Sequence, residues 1–449
     1  MNLRRFFSLV LITVFFTVSI SACNTKQPFD FNEDFEPTSF NGEKLVIYQS
    51  SSEFLDPEPG ETAVGDSLLN HLSDVEKILN IKIDISSYGN IPSRLLAAAA
   101  SGNSSADIVA DGPNNAFDMY KSSLLIPFED VAVEDRTDIK WGTPSLLSET
   151  YYGGNHYGIF PYLWCHLPNV GGMLLVNMEI IEAGGFSDPH EYLEQGEWNW
   201  ENMKKVFSEV TFNDENGEHI GMIFDSGRDP VLLPFVAIRS NGEEPISKSN
   251  GYYISNLESE RAMEAYDYLS DMLSSGIIGG RGATDDLFRD TQLYTYLFCS
   301  SPAFVSEDVK TGYVPFAYGP GGNKDTVSSM LIPSHSLCGH LYFLFSSFTK
   351  FSGDELGVIA DALFDPIDSV NYPNGWKDYY ETNLFNYQID YENFVKAVEG
   401  VSVISLAQVE KSYEIAYKGF DSFESGEAIS SVISGISDAI QTEMNDKAK

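Results

Sequence analysis

Residues 44–111 restrict this chain to few topologies. Lys44–Tyr48 is a short apolar run that stops at Gln49-Ser50-Ser51-Ser52. Val64, Leu68, Leu69, Leu72, Val75, Ile78 and Leu79 then recur at helical spacing, which predicts an amphipathic helix over 64–79. Ile81, Ile83 and Ile85 alternate as a strand does. Pro92 opens a second helix, carried by Leu95, Leu96 and the alanines 97–100, and Gly102 ends it. Asp107–Ala110 is a third strand, stopping at Asp111-Gly112-Pro113. The pattern is β-α-β-α-β, whose parallel strands must be joined by right-handed crossovers. Open sheets of this α/β class bind ligands beyond the carboxyl ends of their strands. Here those ends carry Gln49–Ser52 and Asp111–Asn115.

At 449 residues the chain exceeds one hydrophobic core, so two lobes are expected. The segment Tyr157–Val176 fits the crossing between them. It starts apolar, is broken by Pro161 and Pro168, and resumes as a strand after Gly171-Gly172. Proline fixes φ and removes a donor, so neither break fits mid-ladder in a sheet. Between the breaks stand Tyr162, Trp164 and His166, bulky side chains with polar tips.

Past the crossing, Met173–Asn177 reads as a strand and Glu179–Ala183 as a helical turn closed by Gly184-Gly185. Asn199 fits the N-cap of a helix with Met203, Val206, Phe207 and Val210 on one face. His219–Phe224 is a strand followed by the polar loop Asp225–Asp229. Ser259 fits the cap of a helix over 260–274, with Ala262, Tyr266, Leu269 and Leu273 inward and Gly276 ending it. Strands are expected at Pro302–Val305 and Gly312–Ala317, and apolar runs at Ser329–Pro333 and Leu341–Phe345. A helix follows through Leu356, Ile359 and Leu363. The rest is largely helical, and Gly426 leads into a last helix striped by Ile429, Val432, Ile433, Ile436 and Ile440.

The first 22 residues form a targeting segment: Arg4 and Arg5, the apolar run Phe6–Ile20, then Ser21-Ala22-Cys23. This ending resembles the lipobox of bacterial lipoproteins, in which the cysteine thiol receives diacylglycerol and becomes the new N-terminus. Residues 23–43 then read as a polar tether. Cleavage removes two arginines and no acids, taking the formal net charge from -39 to -41. So acidic a surface argues against nucleic acid and against electrostatic binding to anionic lipid. Cys165, Cys299 and Cys338 are odd in number and form no CxxC; they read as mostly buried small hydrophobes, one disulfide being possible but not predicted.

The order of these elements resembles the extracellular solute-binding lipoproteins of bacterial ABC importers, within the carbohydrate-binding group that includes maltose-binding protein. Asp107–Asp111 and Leu124–Asp130 resemble the family's third strand and the acidic turn after it. Tyr157–Pro161 resembles its crossing, and Leu174–Asn177 the strand that follows. Glu197–Glu201 is similar to the Trp-containing start of its helix, and Gly426 onward to its C-terminal helix. Phe298-Cys299-Ser300-Ser301-Pro302-Ala303-Phe304 departs from the family by lacking its glycine and methionine, and Ser306-Glu307-Asp308 stands where a tryptophan often does.

The resemblance implies a two-lobed α/β fold of the type II periplasmic-binding-protein kind. Its lobes would comprise 44–158 with about 334–370, and 159–333 with about 371–449. It further implies a monomeric, non-enzymatic receptor without cofactor or metal, anchored through Cys23 to the outer face of the membrane. Such a receptor passes its solute to a permease. A carbohydrate needs aromatic faces for its C–H surfaces and planar polar groups for its hydroxyls. Gln49, Asp111 and Asn114, at strand ends, suit the hydroxyl role, though Asp111 equally suits an N-cap of the next helix. Tyr162 and Trp164 suit stacking, and equally a core. Asp225 and Arg228 are either ligand groups or a surface ion pair with Asp229. Glu307 enters by position, and Trp376 either stacks on ligand or packs.

Two other classes share these features. A lipid-anchored hydrolase would need a catalytic constellation, and the chain has no G-x-S-x-G, H-E-x-x-H or Walker loop. The same fold supports peptide capture, and also ferric-ion capture through adjacent tyrosines such as Tyr151-Tyr152, Tyr252-Tyr253 and Tyr379-Tyr380. With 24 tyrosines, however, such doublets arise by chance.

Overall fold

In a computed structural model, the structure describes residues 40–50, 55–60, 63–102, 105–161, 170–225, 232–249, 252–282, 284–299, 309–331, 341–367, 372, 375–403 and 429–447. The first lobe begins β1 (Glu43–Gln49), α1 (Ala63–Leu79), β2 (Ile81–Ser87), α2 (Ile91–Ser101), β3 (Ile108–Asp111) and α3 (Pro113–Lys121). Asn90 caps α2 by accepting from the Ser93 N–H, and Gly102 ends it with φ +67°. The short α4 (Pro144–Ser148), the hairpin β4 (Tyr151–Tyr152) and β5 (Asn155–His156), and β6 (Gly158–Ile159) complete the segment before the crossing.

The second lobe runs β7 (Met173–Asn177), α5 (Met178–Gly184), α6 (Pro189–Gln195), α7 (Trp200–Glu209), β8 (Phe212–Asp214), β9 (Gly217–Asp225) and α8 (Leu232–Ser240). It continues through β10 (Ile246–Ser249), β11 (Tyr252–Ser255), α9 (Glu260–Ser274), β12 (Ile278–Arg281), α10 (Thr284–Asp290), β13 (Tyr294–Cys299), β14 (Thr311–Pro315) and β15 (Met330–Leu331). The expected caps form: Asn199 accepts from the Asn202 N–H and Ser259 from the Ala262 N–H. In α9 Met272 is buried where Leu273 was expected, and Leu273 packs half-buried at the margin. The chain then returns through β16 (Tyr342–Phe345) and α11 (Gly353–Leu363), which Ser352 and Glu355 start with a reciprocal capping box. It closes with α12 (Trp376–Asn383), α13 (Gln388–Glu399), β17 (Ser402–Val403) and α14 (Ile429–Lys447). The expected strand at Pro302–Val305 lies outside the described residues.

The sheets have the orders β2-β1-β3-β16-β6 and β12-β9-β13-β7-β14, with β8 paired to β9. β1 pairs in parallel with both β2 and β3, as the βαβαβ pattern requires. β16 is inserted antiparallel between β3 and β6, so chain that has already built the second sheet returns to finish the first.

Successive strand residues point to opposite faces, and the core divides accordingly. Ile47, Ile108, Phe343 and Phe345 face α1 and α11. Leu174, Val176, Phe224 and Phe298 face α7, α9 and α14, where Ile433, Ile436 and Ile440 form the buried stripe. The other faces of both sheets, through Val109, Leu344, Leu175 and Tyr313, meet in one continuous apolar cluster with residues of α2, α12 and α13. The two sheets are thus joined by packing as well as by chain.

Candidate functional site

The strand registers define where a shared site can form. β16 is antiparallel to β3 and β6, so Tyr342, paired with Asp111, and Ile159, paired with Phe343, lie at the carboxyl edge of the first sheet. In the second sheet Met173 pairs with both Cys299 and Pro315, and β9 runs parallel to β13. Met173, Asp225, Cys299 and Pro315 therefore share one edge, the carboxyl edge of β9, β13 and β14. Both crossings consequently run from carboxyl edge to carboxyl edge.

Where they reach the second sheet, the crossings are tied together. Gly171 and Met330 exchange backbone hydrogen bonds of 2.8 and 2.9 Å, and β17 adds a third segment in parallel with β15. Gly172 holds φ +98°, and a Cβ there would stand 2.8 Å from a Val236 methyl, so this corner requires glycine.

On the first edge, Gln49 is fully buried. Its amide donates to the Ser87 hydroxyl at 3.1 Å, and its carbonyl accepts from the Leu55 N–H at 2.9 Å. The structure thus gives Gln49 a supporting role, tying the end of β1 to Ser87 and Leu55. Asp111 is 2% exposed. It is not the N-cap of α3, a position taken by Gly112 without any side-chain bond. Instead its carboxylate accepts from the Gly112 N–H at 2.8 Å and from the Asn115 amide at 2.9 and 3.0 Å. Burial pushes its pKa above the usual aspartate value, and hydrogen bonds from Asn115, Gly112 and the Ser50 side chain oppose that rise without cancelling it. A buried carboxylate held by neutral donors is the electrostatically strained element of this edge. Asn114 lies in the first turn of α3.

Sequence reasoning passed over a neighbouring group on the same edge. Tyr48, one residue before the end of β1, and Tyr88, just after β2, stand edge-to-face with centroids 4.7 Å apart. The Arg94 guanidinium lies 3.7 Å from the Tyr88 centroid and 5.4 Å from that of Tyr48. The available signal was a tyrosine at each strand end with an arginine one turn into the following helix.

On the second edge, Asp225 ends β9 and is buried. A cavity of about 360 Å³ opens beyond the end of β14, walled by Met173, Trp198, Phe316, Tyr318, Lys324 and Asn393 among others. Of the two roles open to it, Trp376 takes the packing one. It is 4% exposed, with its ring at 6.0 Å from Tyr380 and 5.9 Å from Phe394 in edge contacts, so it belongs to the cluster joining the sheets. Tyr162, Trp164, Arg228, Glu307, Cys23, Cys165 and Cys338 lie outside the described residues.

Two of the tyrosine doublets are split by their surroundings. Tyr151 is exposed and Tyr152 buried, as alternation along β4 dictates, and Tyr380 is packed against Phe394 at 4.8 Å. Among the described residues no cluster of three or more His, Cys, Asp or Glu is placed to hold a metal ion.

One further charged group is buried at the opposite end of β14. His190, near the start of α6, is bracketed by Asp188 at 2.8 Å on Nδ1 and Asp390 at 2.9 Å on Nε2. Burial alone would lower its pKa, but the two carboxylates outweigh it and raise the pKa to about 9. Asp390 also accepts from the Tyr313 N–H at 2.8 Å, so the cluster pins α6 and α13 to β14.

No family model matches the sequence, and no curated protein matches it either. Solved structures match nearly the whole chain. The GacH receptor of Streptomyces glaucescens GLA.O, solved unliganded and with acarbose and an acarbose homolog, is 16% identical with a TM-score of 0.57. That match covers 90% of this chain and 99% of that one. The ABC substrate-binding protein Lmo0181 from Listeria monocytogenes, in complex with cycloalternan, is 13% identical with a TM-score of 0.59, covering 90% and 99%. A cyclo/maltodextrin-binding protein complexed with maltotetraose is 13% identical with a TM-score of 0.57, covering 92% and 98%. This chain therefore has the two-lobed α/β fold of such binding proteins.

Proposed function

We propose that this chain is the solute-binding receptor of an ABC importer and captures a carbohydrate between its lobes. The observation that carries this reading is the fold itself: two carboxyl edges, linked by hydrogen-bonded crossings, on the scaffold used by proteins solved with acarbose, cycloalternan and maltotetraose. The division into 44–158 with about 334–370, and 159–333 with about 371–449, is part of the proposal. So are cleavage before Cys23, lipid attachment there, residence on the outer face of a bacterial cytoplasmic membrane, a monomeric state and delivery to membrane permease subunits.

The mechanism is closure by differential affinity. A solute touching both edges favours the closed arrangement only by the extra contacts it makes there. Asp111, already buried and accepting from neutral donors, would take a sugar hydroxyl as a further donor and so be partly relieved of its burial cost. Asn114, Tyr162, Trp164, Asp225, Arg228 and Glu307 complete the proposed ligand set, whereas Trp376 is assigned to the core and Gln49 to support.

A thermal-shift screen against mono- and oligosaccharides, peptides, polyamines and ferric citrate tests this. Binding to the native state raises the Tm by mass action, by about 2.7 kcal/mol of stability at a hundredfold excess over Kd. A rise with one sugar class is the expected result. Silence from every sugar, with a rise from a peptide or iron, overturns the substrate.

A further inference from the structure

We propose that Arg94, mounted on Tyr88 and Tyr48, selects a carbohydrate that carries a carboxylate. This deepens the receptor reading and rests on it. The three residues sit at the carboxyl edge of the first sheet, the edge that the first crossing leaves and the second reaches. The backbone ties them locally: the Tyr88 N–H donates to the Gln49 carbonyl at 2.9 Å, and Arg94 lies on α2, whose N-terminus Asn90 caps.

What distinguishes Arg94 is the state of its charge. Acids outnumber bases 66 to 27 in this chain, and most described lysines of the first lobe pair with one of them. Lys44 pairs with Asp84, Lys77 with Asp74, Lys82 with Glu76, Lys140 with Asp361 and Asp365, and Lys350 with Glu43. Arg136 donates to the carbonyls of Glu129 and Val131, and Lys121 closes α3 over the Phe117 ring. Arg94 is exposed, stands at the carboxyl edge, and has no carboxylate partner among the described residues. The first turn of α2 holds no acid either.

The geometry suits one class of ligand group. A guanidinium resting on a ring face gives up part of its hydration to the ring and keeps its N–H donors around its edge. Two of those donors match the two oxygens of a carboxylate, a planar recognition that a lysine ammonium does not reproduce. The rings also restrict the side chain, lowering the entropy lost on binding. A net charge of -39 repels anions in general, but screening limits that field to about 8 Å at physiological ionic strength. A local cation therefore decides whether an acidic sugar is admitted.

The experiment is titration calorimetry on the full chain in detergent, using the trimers of galacturonate, glucuronate and mannuronate. Their methyl esters, together with maltotetraose, serve as neutral probes. At least one acid trimer is expected to bind about tenfold or more tighter than its own ester. Arg94→Gln is expected to cut that affinity by about 10- to 100-fold, to the level of the ester, while Arg94→Lys retains part of the preference. Both variants should leave the Tm unchanged, because the side chain is exposed. Equal binding of acid and ester, or a preference that survives in Arg94→Gln, overturns this proposal and leaves the sugar receptor standing. Failure of every sugar, acid and neutral, overturns the receptor reading as well.

Discussion

Asp111 and Asp390 are both buried aspartates beside β-strands, yet they are satisfied in opposite ways. Asp390 meets the Tyr313 N–H and a protonated His190, which Asp188 holds from the other side. Asp111 meets a backbone N–H, an amide and a hydroxyl. Burial raises the pKa of each, but a cation stands among the opposing influences only for Asp390. Asp390 bonds the middle of β14 through the Tyr313 N–H, and Asp111 lies at the carboxyl edge that the first crossing leaves and the second reaches. Compensated charge marks the part that holds the lobe together. On the receptor reading, the charge without a cation marks the part that would meet a ligand.

The largest expected effect comes from breaking the compensated cluster. Asp390→Ala strips the Tyr313 N–H of its acceptor and removes one side of the His190 bracket. We expect a loss of about 3–5 kcal/mol, read by urea denaturation. A loss below about 1 kcal/mol would place the cluster outside the stabilising core.

Next in size is the pH dependence of the same cluster. The folded pKa of His190, about 9, exceeds its unfolded value, so its stabilisation is fully present below pH 6.5 and lost as pH rises through about 9. A shift of this size corresponds to roughly 3 kcal/mol. The Tm should fall between pH 7 and 10 in the parent protein, and fall less in His190→Gln.

The smallest stability effect is expected at Asp111. Asp111→Asn removes a charge that burial disfavours and keeps the shape of the side chain, so stability should change by less than about 1 kcal/mol. On the receptor reading, sugar affinity should nonetheless drop about tenfold or more. A marked fall in Tm would place Asp111 beside Asp390 as a structural group.

Legibility from sequence followed the range of the interactions. The strands and helices of 44–111, the caps at Asn199 and Ser259 and the stripe of α14 were readable because a strand's alternation, a helix's periodicity and a cap's hydrogen bond each span few residues. The split role of Asp111 was not readable. N-cap and strand-end acid differ only in where the next turn begins, and Gly112 took the cap. Stacking and packing could not be told apart at Trp376, because glycine and polar neighbours fit either. Its burial comes from Tyr380 on the next turn and Phe394 on another helix. The His190 bracket depended on Asp390, two hundred residues away in sequence.

By itself, the sequence determined the class of fold, the parallel opening of the first sheet and the place of the crossing, since periodicity and proline act locally. Tertiary structure alone decided that β16 returns to the first sheet and that the two crossings are hydrogen-bonded together. It also decided that Arg94 rests on two tyrosines and that one buried aspartate has a cation where another has none. Those outcomes depend on groups far apart along the chain, and only the folded packing sets their distances.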